Sequence, residues 1–167
     1  MLNELIIHKV GEESIPFIQE LTMQVWPQTY AAVLSEEQIG YMLNNMYSHE
    51  ALKEQMQSGQ QFIIANYHQQ SVGFASYGPT DLADEYKLHK LYVITTIQKT
   101  GAGKGLLWFV MDEVRKLKSH HLILQVNRHN ENAIGFYKKM GFQFEMEADF
   151  EIGNGFYMND FVMGISL

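Results

Sequence analysis

The sequence predicts an α/β (α+β) fold, a mixed and mostly antiparallel central sheet with helices on both faces. Two observations carry this. Apolar segments of strand character alternate with amphipathic helical ones in the order β-α-α-α-β-β-β-α-β-α-β-β. The 167 residues fit one domain spanning 1–167, long enough to bury about 70% of the surface that the unfolded chain exposes.

Each element has its own signal. Residues 5–10 read as a first strand. Amphipathic helical stretches follow over about 14–26, 36–47 and 49–58, with Ser35 and Ser48 as N-caps. Residues 61–67 and 71–77 read as a hairpin, although no Asn-Gly turn marks it, and 86–94 as a further strand. After a glycine turn, Gly103, Leu107, Val110, Val114 and Leu117 recur at helical spacing, with Leu106 and Phe109 widening the apolar stripe. A strand over 121–126 and a short helix over about 131–140 follow, the helix stopped by Gly141 in the C′ role. Phe142, Phe144, Met146, Ala148 and Phe150 then alternate with Gln143, Glu145, Glu147, Asp149 and Glu151, which predicts a strand with one apolar and one anionic face. Gly153, Asn154 and Gly155 turn the chain into a last strand over 156–165. No repeat, low-complexity tract or linker interrupts this order.

Composition narrows the function. Twelve basic against nineteen acidic side chains give a net charge of −7, the wrong sign for a nucleic-acid binder and the right one for a cationic partner. Zero cysteines exclude disulfides, thiolate metal sites and a cysteine nucleophile, and suit a reducing cytoplasm. The N-terminus lacks the basic start and apolar core of a signal peptide, and no apolar run nears the length of a membrane span. A cytoplasmic protein that binds no membrane is expected. The seven histidines are scattered without H-E-x-x-H, so no metal site is expected, and G-x-S-x-G is missing.

The segment 91–105, LYVITTIQKTGAGKG, carries the strongest functional signal. A strand that feeds a glycine-rich turn at a helix N-terminus leaves backbone N–H groups unpaired and convergent, a geometry that binds phosphate. The charge pattern agrees. No carboxylate stands between Gln98 and Val110, while Arg115, Lys116 and Lys118 crowd the far end. Carboxylates commonly fill the first turn of a helix; here Lys99 and Lys104 leave its positive end for an external anion. Two familiar phosphate motifs fail on the same residues. A P-loop needs glycine where Gln98 stands and a hydroxyl where Gly105 stands. A dinucleotide fingerprint needs glycine at Leu106 and an acid about twenty residues on, where His120 and His121 lie.

What remains is Q-x-x-G-x-G, written Gln98, Lys99, Thr100, Gly101, Ala102, Gly103. Preceded by L-Y-V and followed by N-x-x-A-x-x-F-Y-x-x-x-G-F (Asn130, Ala133, Phe136, Tyr137, Gly141, Phe142), it resembles the GNAT superfamily of acyl-CoA-dependent N-acyltransferases. The resemblance covers the chain from about residue 60 onward. It departs from the family pattern at Thr95, where many members have proline, and at Lys99, where many have an extra glycine.

The resemblance implies transfer of acetyl from acetyl-CoA to a primary amine by direct attack in a ternary complex. It implies that the strands ending near Val93 and Val126 splay as a parallel pair, with the pantetheine arm between them. The amides from Lys99 through Thr100, Gly101, Ala102 and Gly103 to Lys104 would then hold the pyrophosphate, with Gln98 tethering the loop or the cofactor. Leu91, Tyr92 and Val93 would pair with the pantetheine amides and offer an N–H to the thioester carbonyl. Tyr137 matches the general acid, and Asn130 the asparagine that positions the cofactor, with Asn132 beside it.

Proton transfer needs a base. An alkylamine with a pKa of about 10.4 is neutral in about one molecule in 2,500 at pH 7. His89, two and four residues before Leu91 and Val93 and on their strand face, is the expected base, and a structural histidine is the alternative. Glu85, or a carboxylate acting through water, is the fallback.

The family builds acceptor specificity in the region of residues 26–46, which holds Tyr30, Tyr41, Glu36 and Glu37. Its wording here is similar to members that act on polyamines or other small amines. Glu145, Glu147, Asp149 and Glu151 either steer a cation or form a solvated strand face. The expected partner is therefore a small-molecule amine, with a homodimer left open. Protein N-terminal acetylation and a non-catalytic acyl-CoA sensor are the competing readings.

Overall fold

The computed structural model describes residues 4–94 and 100–167. Among them, seven strands form one sheet in the order β1-β2-β3-β4-β5-β7-β6. The strands are β1 (Leu5–Val10), β2 (Gln61–Tyr67), β3 (Gln70–Pro79), β4 (Glu85–Val93), β5 (His121–Asn127), β6 (Gln143–Gly153) and β7 (Phe156–Ser166). Neighbours run antiparallel except β4 and β5, which are parallel. Helices α1 (Ile15–Tyr30), α2 (Glu36–Tyr47) and α3 (His49–Gln57) pack on one face, and α4 (Ala102–Lys116) and α5 (Glu131–Lys139) on the other. None of these helices is long and apolar enough to cross a membrane.

Burial on both faces explains the continuous apolar run of β2. Phe62 and Ile64 point to the α1 side while Ile63 and Ala65 point to α4, so a two-sided strand needs no polar alternation. The β2–β3 hairpin closes through His68 and Gln69, both at positive φ; this is the backbone a tight hairpin needs, adopted without Asn-Gly.

Four details depart from the sequence reading. First, α1 continues through Pro27 to Tyr30. Proline removes one backbone donor and ordinarily stops or kinks a helix, but here the last turn survives and carries Tyr30 to the sheet. Second, Leu117 is not in the α4 stripe: it caps the helix and is largely exposed. Third, Ser76 pairs with Lys90 and Tyr77 with Leu88, leaving His89 as the extra residue of a β-bulge. Leu88 and Leu91, three apart, both pack on the α4 side, so alternation from Leu91 does not assign the face of His89.

The fourth is a bulge in β6. Phe144 pairs with Met163 and Met146 with Val162. Adjacent residues of β7 point to opposite faces, so Phe144 and Met146 do too. The apolar face predicted for this strand therefore switches sides at Glu145. The freed Glu145 reaches over Gly164, where a Cβ would collide with its carboxylate, to place Oε1 2.7 Å from His121 Nε2. His121 Nδ1 lies 2.9 Å from Glu85 Oε2. One imidazole thus clamps β4, β5 and β6 together.

Two carboxylates facing two ring nitrogens favour the doubly protonated ring. Burial pulls the pKa of His121 down, but the hydrogen bonds and charges of Glu145 and Glu85 outweigh it and the net shift is upward. The clamp's contribution is therefore complete below the unfolded value of about 6.5 and fades as pH rises through the higher folded value. Urea unfolding between about pH 6 and about pH 9 will show the wild type losing stability relative to His121→Gln; parallel curves would refute the clamp.

Candidate active site

Strands β4 and β5 pair only over Glu85 to Leu88 and His121 to Leu124. Beyond these residues they part, and a cleft of about 700 Å³ opens between them. Which main-chain groups face the gap follows from the pairing of β4 with β3. Ile94 donates its N–H to the Val72 carbonyl, so alternation turns the peptide groups of Tyr92 toward β3 and those of Leu91 and Val93 toward the gap. Gly73 allows the close approach of β3, since a Cβ there would lie 2.6 Å from the Tyr92 oxygen. Of the L-Y-V triplet, Leu91 and Val93 thus supply main chain to the cleft, and Tyr92 supplies its side chain.

At the open end lies the start of α4. Gln98 and Lys99, predicted as loop contacts, lie outside the described residues, as does Thr95. Gly101 is the N-cap at φ +79°, a left-handed conformation that favours glycine. The Thr100 hydroxyl accepts the Ala102 N–H at 3.2 Å, and Gly105 N–H returns to the Gly101 carbonyl at 2.9 Å. The N–H groups of Gly103 and Lys104 have no acceptor among the described residues. With no acid in the first turn, these two donors and the helix dipole suit an anion.

Helix α5 forms the opposite wall. Asn130 caps it by accepting the Ala133 N–H at 3.3 Å, and both Asn130 and Asn132 line the cleft. At the other end, Phe142 N–H reaches the Tyr137 carbonyl at 3.0 Å and Gly141 N–H the Lys138 carbonyl at 3.1 Å, with Gly141 at φ +104°. This paired cap requires the positive φ of glycine. It explains the spacing of F-Y-x-x-x-G-F, because Tyr137 is anchored through its own carbonyl and its ring packs on Phe142. The Tyr137 ring is buried and lines the cleft; its hydroxyl has no hydrogen bond among the described residues. Burial, with Tyr30 nearby, pushes its pKa well up.

The α1 side of the cleft is aromatic. The hydroxyls of Tyr30 and Tyr92 lie 2.9 Å apart, and the two rings pack with Trp26. Basic groups sit beneath them. His89 lines the cleft, and burial, then Lys87 and Lys90, push its pKa down to about 3. Lys90 Nζ lies 5.2 Å from the Tyr47 ring centroid and 5.8 Å from that of Phe62; burial and Lys87 lower its pKa to about 7.

The fallback base is ruled out by position. Glu85 stands at the closed end of β4, about 20 Å of strand from Leu91, with its carboxylate bonded to His121 and Thr80. The β6 acids turn to the α4 side, away from the α1 chamber. Glu147 pairs with Phe161, Asp149 with Asn159 and Glu151 with Tyr157, and Phe161 packs in the α4-side core. Tyr41 is spent on the Ile152 carbonyl at 2.9 Å, and Glu36 and Glu37 occupy the first turn of α2. Polar residues that escaped the sequence reading include Lys87 and Lys90 on β4, Gln125 on β5 and Asp160 on β7. For Asp160 the available signal was a lone acid within the apolar run of the last strand.

Comparison with known proteins follows this geometry. A family model described as an acetyltransferase (GNAT) domain matches residues 30–160. A spermidine N(1)-acetyltransferase of Thermoplasma acidophilum is 28% identical over 144 residues, covering 83% of this chain and 88% of the relative. Among solved structures, the PaiA N-acetyltransferase of T. acidophilum in complex with coenzyme A superposes with a TM-score of 0.82 at 27% identity, over 98% of this chain and 99% of that one. A GCN5-related N-acetyltransferase of Rhodopseudomonas palustris shares the fold with a TM-score of 0.80 at 21% identity, over 97% and 95% of the two chains.

Lys104→Glu separates helix stability from anion binding at the start of α4. A carboxylate there complements the dipole and leaves the melting temperature equal or higher, yet it repels a diphosphate. Calorimetric titration with coenzyme A will show affinity lowered about tenfold; unchanged affinity would remove the diphosphate from this turn.

Proposed function

Given that the chain belongs to the acetyltransferase (GNAT) family and is an acetyl-CoA-dependent N-acetyltransferase, we propose that it acetylates a primary amine of a small cationic acceptor of the polyamine kind. The observation that carries this reading is the two-sided cleft, with a helix start free of first-turn acids at one end and a buried aromatic and polar chamber on the α1 side at the other.

Each residue's role follows from its chemistry. Acetyl-CoA, when bound, supplies a thioester whose carbonyl carbon is attacked by the amine and whose thiolate departs. The N–H groups of Gly103 and Lys104 hold the diphosphate, joined by the loop residues Gln98 and Lys99, with Thr100, Gly101 and Ala102 shaping the turn. The peptide edges of Leu91 and Val93 pair with the pantetheine amides. One of these N–H groups stabilises charge on the thioester oxygen as the amine adds, a contribution of about 3 kcal/mol in preorganised sites. Asn130 and Asn132 orient the cofactor along α5.

Tyr137 donates to the departing sulfur. Its raised pKa makes full proton transfer to a thiolate of pKa about 8.5 unfavourable, so its main contribution is a hydrogen bond to the developing charge, while the proton that the nitrogen sheds on acylation passes to solvent and the released thiolate takes one up from solvent. His89 is neutral at physiological pH. The burial and lysine charges that depress its pKa also disfavour an ammonium beside it, so the acceptor nitrogen enters that position as the free amine and His89 accepts its hydrogen bond. Dehydration of the site thereby supplies part of the deprotonation that a strong base would otherwise perform.

A screen of polyamines, amino acids, aminoglycosides and peptides for acetyl-CoA consumption tests the acceptor class. Turnover of polyamines supports it; turnover of peptides alone would reassign the enzyme to protein N-termini. With the accepted amine, Tyr137→Phe will lower kcat by about 100-fold while the Kd for coenzyme A stays the same.

A further inference from the structure

None of the described residues lining the cleft is an Asp or a Glu, although a cationic acceptor calls for one. A carboxylate stands one strand beyond the β5 wall of the cleft. Asp160, on β7, pairs with Asn127 on β5 and Ala148 on β6 and is only 3% exposed. It lies on the sheet face opposite Phe161, toward α1, where its charge is felt by the Tyr30 hydroxyl.

The charged and titratable groups around Asp160 are Lys87 from β4, Arg128 after β5 and Tyr30 from α1; its β6 neighbour Ala148 has none. Neither cation is bonded to it. Lys87 Nζ is held 2.9 Å from Gln125 Oε1, and Arg128 donates to the Ala148 carbonyl at 3.3 Å and to Asp149 at 2.7 Å. Among the described residues Asp160 makes no hydrogen bond and no ion pair, yet its oxygens are not among the polar atoms sealed from solvent. Burying a carboxylate without a bonded donor is costly, and an ammonium that donates to it gains a charge-assisted bond in a low-dielectric setting.

We infer that Asp160 binds the second ammonium of a diamine or polyamine acceptor, the one that is not acetylated, and so sets the substrate class. This inference rests on the amine-acetyltransferase reading of the cleft. It divides the acceptor between two environments: a basic, dehydrated one at His89 and Lys90 that favours a neutral nitrogen, and an anionic one at Asp160 that retains a charged nitrogen.

The test compares spermidine with hexylamine, a monoamine that lacks the second ammonium, at saturating acetyl-CoA. Wild-type enzyme will prefer spermidine, and Asp160→Asn will raise its KM about 10- to 100-fold with kcat, the hexylamine parameters and the Kd for coenzyme A little changed. In the wild type, the KM for spermidine will rise as pH falls through about 6, the value to which burial lifts this carboxyl against the pull of Lys87 and Arg128. That limb will vanish in the Asn variant and persist in Asp160→Glu. A merely structural aspartate would impair both amines alike and leave no such limb. Should Asp160→Asn fail to fold, the wild-type pH profile and Asp160→Glu decide. Equal wild-type use of the two amines would overturn the role of Asp160 while leaving acetyl transfer intact; use of neither, with coenzyme A still bound, would overturn the polyamine reading itself.

Discussion

The parting of two parallel strands is the constraint on which the rest of this molecule depends. β4 and β5 share hydrogen bonds over four residues each and then separate, which leaves a row of peptide groups at the centre of a buried sheet without partners. Such groups are expensive to hide, so the gap is stable only if something with matching amides and carbonyls can enter it. The β-bulge at His89 lies at the point of divergence. There it adds a residue to β4, increases the local twist and aims the remaining strand away from β5. Fold and binding site are therefore one feature: the sheet is built from seven ordinary strands with one deliberate fault between them.

The two sides of the fault owe their electrostatic character to different means. At the α4 end, positive potential comes from main-chain N–H groups and the absence of a first-turn acid, a device that needs glycine more than charge. On the α1 side, the chamber is shaped by burial. Dehydration pushes His89 and Lys90 toward their neutral forms and Tyr30 and Tyr92, with Tyr137 across the cleft, away from ionisation. A site of this kind handles an amine by choosing its protonation state through solvation, with little demand on any single strong base.

Most of the fold was legible in the sequence because its signals are local. Period-two and period-3.6 apolar patterns located every strand and α-helix among the described residues to within a few positions, and Gly141 marked its cap through the backbone it must adopt. What escaped depended on cross-strand register. The bulges at His89 and Glu145 shift pairing by one residue, and no local pattern announces such a shift; the first undid the alternation argument for His89 and the second turned the acids of β6 to the α4 side. The sequence reading ended the first helix at about residue 26, but packing of Trp26 and Tyr30 against Tyr92 outweighs the backbone bond lost at Pro27 and carries α1 to Tyr30. Asp160 stood out only as a lone acid in the apolar run of the last strand, and its meaning came from the neighbours that leave it unbonded.

Residue-resolved amide hydrogen exchange, with and without coenzyme A, tests the central claim most directly, because the divergence of β4 from β5 assigns a different state to each peptide group. Leu91 and Val93, together with Gly103 and Lys104, should exchange readily in the free protein and become protected when coenzyme A binds, whereas Tyr92 and Ile94, already paired with β3, should be slow in both states. Protection of Leu91 and Val93 in the free protein, or its absence on binding, would contradict the account.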